Sequence, residues 1–72
     1  MKKIKKIKIK LNGRSKVINS DTKVLNLISN LKIPINKVAI ELNNEILDKK
    51  KLNNIIIKKN DKIEIVHFIG GG

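Results

Sequence analysis

The sequence predicts an α+β domain: a mixed sheet of four to five strands with one main helix packed on one face. Three observations predict it. Apolar residues alternate with a period of two at both ends of the chain, a single stretch between them has helical spacing, and an Asn-Gly dipeptide follows the first alternation. At 72 residues the chain makes one small domain. Its 26 Ile, Leu and Val residues, spread along the whole length, supply a single core.

Ile7, Ile9 and Leu11 alternate with Lys6, Lys8 and Lys10, as in a half-buried strand. Asn12-Gly13 comes next, and both residue types tolerate the positive φ of a two-residue hairpin turn. Such a turn sets Leu11 opposite Arg14 and Ile7 opposite Ile18, so Arg14 to Ile18 is the second and weaker strand. Asn19-Ser20-Asp21-Thr22 is a cluster of helix-capping types, with Asp21 the natural cap. Val24, Leu27, Ile28 and Leu31 then mark one face of a helix from about Thr22 to Lys32, widened by Leu25. Pro34 disfavours a helical Ile33 and ends it.

Val38, Ile40 and Leu42 form a third strand, and Asn43-Asn44 a turn before the short run Glu45-Ile46-Leu47. Lys49-Lys50-Lys51 is a polar loop, with Leu52 available to plug the core beneath it. Ile55-Ile56-Ile57 is apolar on both faces, and its state is left open. After a polar turn over Lys58 to Asp61, Ile63, Ile65 and His67 alternate with Lys62, Glu64, Val66 and Phe68 as the final strand. The first and last strands are the most regular, which places them as parallel neighbours at the sheet's centre. That arrangement is a β-grasp.

Composition narrows the function. With no Cys there is no disulfide framework, Cys-based zinc site or thiol nucleophile. No apolar run approaches the roughly 18 to 20 residues of a membrane span. The Met1-Lys2-Lys3 start lacks signal-peptide features, so the expected address is the cytoplasm, with no membrane partner. Lys plus Arg number 17 against 6 Asp plus Glu, a formal net charge of +11. A nucleic-acid site would explain that charge. Yet only one residue, Arg14, is arginine, and Phe68 is the sole aromatic, so no stacking platform exists. A solvated surface that steers the chain toward acidic partner proteins fits better, and no nucleic acid is expected. No nucleophile, acid-base pair or metal site can be assembled, so the chain is not expected to be an enzyme or to bind a cofactor.

The sequence ends in Gly70-Gly71-Gly72. Glycine loses the most entropy on ordering and packs no side chain, so these residues add no stability. A frayed end is one reading. The other is a thin arm of about 10 Å that carries the terminal carboxylate away from a domain spanning residues 1–69.

The span Val38-Ala39-Ile40-Glu41-Leu42-Asn43-Asn44-Glu45-Ile46 and the ending Asp61-Lys62-Ile63-Glu64-Ile65-Val66-His67-Phe68-Ile69-Gly70-Gly71-Gly72 resemble the sulfur carriers of thiamine biosynthesis, the ThiS family, of ubiquitin-like β-grasp fold. The Leu11-Asn12-Gly13 hairpin and the Thr22-Lys23-Val24-Leu25-Asn26-Leu27-Ile28 helix start fit the same pattern, so the resemblance covers essentially the whole chain. Asn44 and Asn60 depart from it, standing where relatives often have a turn glycine, and the lysine load is unusual.

The resemblance implies that a ThiF-like adenylyltransferase uses ATP to convert the Gly72 carboxylate to an acyl-adenylate. Sulfur drawn from cysteine through a cysteine desulfurase then displaces AMP, leaving a thiocarboxylate whose sulfur thiazole synthase takes up. Gly71 and Gly70 would thread into the partner. Val66, Phe68 and Ile69 are candidate docking residues, with strand-end packing as the plain alternative. His67 is expected to point toward the core side as a structural residue. The rival readings are the small subunit of molybdopterin synthase, a ubiquitin-like modifier, or a small basic RNA-binding module.

Overall fold

The computed structural model describes residues 5–68. They form a five-stranded mixed sheet of β1 (Lys6–Leu11), β2 (Arg14–Asn19), β3 (Val38–Leu42), β4 (Glu45–Ile46) and β5 (Lys62–His67), with the helix α1 (Val24–Asn30) on one face. The strand order is β2-β1-β5-β3-β4, with β1 and β5 parallel neighbours and the other pairs antiparallel. Short 3₁₀ helices occupy Ile35–Lys37 and Lys49–Asn54. No helix among the described residues is long and apolar enough to cross a membrane.

The hairpin register is the one a two-residue turn demands, with Leu11 opposite Arg14 and Ile7 opposite Ile18. Asn12 and Gly13 both take positive φ, +50° and +81°, the mirror-image turn whose twist matches the strands. β2 is an edge strand in which only Ile18 is buried. The core lies between sheet and helix: Ile9, Val38, Ile40 and Ile63 from the strands meet Val24, Leu27 and Ile28 of α1. Leu52, fully buried, closes it from below. Ile57 is buried as well, while Ile56 is exposed and forms an isolated bridge with Lys23.

That bridge corrects the expected start of the helix. Asp21 is not its cap; the N-cap is Lys23, which makes no side-chain capping bond. Residues 22–24 run as a short extended pair against 55–57. Ile57 N–H donates to Thr22 O at 2.8 Å, and Val24 N–H to Ile55 O at 2.9 Å. Backbone pairing therefore satisfies the first helical N–H, delays the helix to Val24, and leaves Asp21 in a left-handed turn with φ +67°.

The other end stops at Asn30, short of Lys32. Lys32 adopts φ +58°, donating its N–H to Ser29 O, while Ile33 N–H donates to Ile28 O. This is the paired-bond termination usually built on glycine. Asn44 and Asn60 also have positive φ, +74° and +70°, so asparagine occupies two turns that demand a left-handed residue.

Candidate functional site

Alternation along β5 sorts its side chains between two faces. Ile63 and Ile65 point under α1 and are buried, whereas Val66 and Phe68 stand about half exposed. Lys62 and Glu64 share the Val66 side. Cross-strand register adds Ala39 beside Val66 and Glu41 beside Glu64, with Ile46 of β4 beside Glu41. On the far side of the sheet β1 contributes Lys6, Lys8 and Lys10, and β2 contributes Val17 opposite Lys8. The face that α1 leaves uncovered thus carries Val17, Ile46, Val66 and Phe68, four of the five large hydrophobics exposed among the described residues.

The end of β5 is held in place up to Phe68. Its N–H donates to Lys37 O at 2.9 Å, which continues the β3–β5 ladder one step beyond Val38 and His67. Lys49 Nζ lies 5.2 Å from the centroid of the Phe68 ring, within cation–π range. That contact lies over a face of the ring, in line with the plain packing alternative, yet the side chain remains 53% exposed. Ile69, Gly70, Gly71 and Gly72 lie outside the described residues.

His67 corrects a second expectation. It has the parity of Ile63 and Ile65, yet it is exposed. The register runs Lys10 to Lys62 and Leu11 to Ile63, so the hairpin turns away at Asn12-Gly13 before β5 reaches His67. That part of β5 has lost its neighbour on one side, and the core no longer reaches it.

Two turn asparagines frame the strand that leads to this end. Asn12 donates its N–H to Ile63 O at 2.9 Å, and its side-chain Oδ1 accepts from Ile65 N–H at 2.7 Å. Asn43 does the same on the opposite flank, donating its N–H to Lys62 O while Oδ1 accepts from Lys62 N–H. Its Nδ2 donates to Asp61 Oδ1, and Asp61 Oδ2 accepts from Lys58 N–H. Each asparagine stands in for a missing strand residue, so β5 stays paired where its neighbours turn away.

Sequence reasoning passed over Ile46 and Lys49. Ile46 belongs to a two-residue strand, too short for alternation to reveal its face. Lys49 is one of three consecutive lysines, and only the fold brings it to Phe68. A hollow of about 430 Å³ lined by Asn19, Asp21, Lys23 and Asn30 sits at the start of α1; neither Val66 nor Phe68 lines it. Among the described residues no group of three or more His, Cys, Asp or Glu could hold a metal ion.

A family model described as the ThiS family matches residues 7–72. The sulfur carrier protein ThiS of Bacillus subtilis is 34% identical over 65 residues, covering 89% of this chain and 98% of that one. A thiazole synthase of Magnetococcus marinus is 35% identical over 66 residues, and one of Paramagnetospirillum magneticum 36% over 66. This chain spans about a fifth of the length of each synthase. In three dimensions it is similar to the crystal structure of the thiamine biosynthesis protein ThiS of Geobacter metallireducens. The TM-score is 0.80 at 29% identity, over 92% of this chain and all of that one.

Proposed function

This chain belongs to the ThiS family, and from that premise we propose that it serves as a sulfur carrier in thiamine biosynthesis, with the Gly72 carboxylate as the carrying group. A carboxylate is a poor electrophile. Attack on the α-phosphate of ATP, catalysed by a ThiF-like adenylyltransferase, releases pyrophosphate and leaves an acyl-adenylate. A persulfide charged through a cysteine desulfurase then adds to that carbonyl through its outer sulfur and expels AMP. A thiol reductant cleaves the S–S bond of the resulting acyl disulfide, taking the carrier thiol into a disulfide and releasing the thiocarboxylate. Thiazole synthase is the acceptor; two of the relatives are thiazole synthases that contain a stretch similar to this domain. All of these steps take place in the cytoplasm.

The protein itself is substrate and courier, binding no cofactor of its own. Its folded body positions the tail, and the partner enzymes supply ATP chemistry and catalysis. Gly70 and Gly71 have no side chain to obstruct a narrow channel, and Val66, Phe68 and Ile69 dock beside its mouth. The observation that carries this reading is the family match running through residue 72, joined to a strand end whose Val66 and Phe68 stay exposed just before the glycines in sequence.

The test is the intact mass after incubation with the cognate adenylyltransferase, ATP and a sulfur source. One oxygen-to-sulfur exchange, mapped to Gly72, is expected. A variant lacking Gly71 and Gly72 should show no exchange while keeping its circular dichroism spectrum and melting point. An unchanged mass with a partner proven competent on another carrier overturns the proposal.

A further inference from the structure

The uncovered face of the sheet is ordered by charge along the direction of β5. Its outward residues on β5 run Lys62, Glu64, Val66, with Phe68 following: basic, acidic, apolar, apolar. Neighbouring strands extend each band sideways. Lys10 lies opposite Lys62 in register, and Lys8 and Lys6 continue the basic band along β1, all three exposed. Glu41 pairs across from Glu64, and Ala39 across from Val66. Like charges set directly opposite, as Glu41 and Glu64 are, weaken a sheet, so the fold gains nothing from the arrangement.

We infer that this face is a polarity key for an acidic protein surface on the adenylating partner, with the lysine band of Lys6, Lys8, Lys10 and Lys62 as its capture element. The inference rests on the sulfur-carrier reading and adds to it the chemistry and direction of docking. Alternate strand residues stand about 6.5 Å apart, so Lys6, Lys8 and Lys10 form a row about 13 Å long. Carboxylates at alternate positions of a strand, or four apart on a helix, match that spacing. Complementarity fixes direction as well. A partner with acid facing the lysines, base facing Glu41 and Glu64, and an apolar step facing Val66 and Phe68 receives the tail at one end only. Turned end for end, its acidic residues would meet the two glutamates. Opposed like charges suppress the wrong orientation, and the lysine band speeds encounter at low salt.

The experiment compares two double variants of equal net charge, Lys8→Glu/Lys10→Glu on the open face and Lys23→Glu/Lys32→Glu on the covered side. Each is assayed with the cognate adenylyltransferase by mass exchange at Gly72 and by direct binding over a salt series. The open-face variant is expected to raise KM and Kd by about tenfold or more at low salt, with kcat within about twofold and a flatter salt dependence. The covered-side variant should stay within about threefold of the parent. Equal losses in both variants would reduce the effect to net charge and overturn the inference, as would an unchanged Kd. RNA retention at physiological salt that only the open-face variant loses, with partner affinity intact, would overturn it in favour of a nucleic-acid face. If the parent chain exchanges sulfur normally in any of these cases, only this inference falls; if the parent shows no exchange, the carrier reading falls with it.

Discussion

Asn12 performs two tasks that few residue types combine. Its backbone holds φ +50° in the hairpin turn, and its side chain accepts from Ile65 N–H at 2.7 Å, in the space that β1 has vacated. Asn12→Ala should therefore lose about 1 kcal/mol to left-handed backbone strain and about 1–2 kcal/mol to an unmade, part-buried hydrogen bond. A domain of this size seldom holds more than roughly 3–5 kcal/mol from packing, so urea denaturation should show most of the margin gone. Asn12→Gly keeps the turn and loses only the bond, so its midpoint should fall between those of the parent and the alanine variant. Equal midpoints for glycine and alanine would deny the backbone contribution. The turn role was legible in the Asn12-Gly13 dipeptide, but the bond to Ile65 was not, since the partners are 53 residues apart. Glycines lead such turns in many proteins; here asparagine at 43, 44 and 60 takes the left-handed positions at a smaller entropy loss.

At the scale of the element, α1 is only seven residues long and would not persist alone. Burial of Val24, Leu27 and Ile28 against the sheet holds it, and its start is set from outside by the pairing of 22–24 with 55–57. Lys23 occupies the N-cap with extended φ and ψ of −84° and 152°, a geometry that suits a capping side chain, yet it supplies a positive charge where the helix dipole favours a negative one. Lys23→Asp should accordingly stabilise the domain by about 1 kcal/mol, read as a rise in the thermal midpoint of roughly 4–8 °C. No rise would mean that the bridge to Ile56 already determines this end. The periodicity of Val24, Leu27, Ile28 and Leu31 disclosed the helix and its buried face. Its first residue escaped because the cluster Asn19 to Thr22 reads equally as a cap or as a turn, and only the distant triplet Ile55-Ile56-Ile57 decides between them.

Across the whole molecule, a formal net charge of +11 on 72 residues opposes compaction. Raising NaCl from about 10 mM to about 150 mM shortens the screening length from roughly 30 Å to 8 Å, so the melting point should climb over that range. A flat response would place equal repulsion in the unfolded chain. The same charge, distributed as a lysine band on the open face, is what the acidic-partner inference rests on. The sequence by itself determined the alternation of β1, β3 and β5, the hairpin and its register, and the single helix, because each is written in residues adjacent or nearly adjacent in the chain. Only the tertiary structure decided that Lys62 stands beside Lys10, that Glu64 faces Glu41, that Lys49 reaches Phe68, and that His67 is left outside the core. Those relations depend on how far each strand extends before its neighbour turns away, a length set by pairing between segments dozens of residues apart.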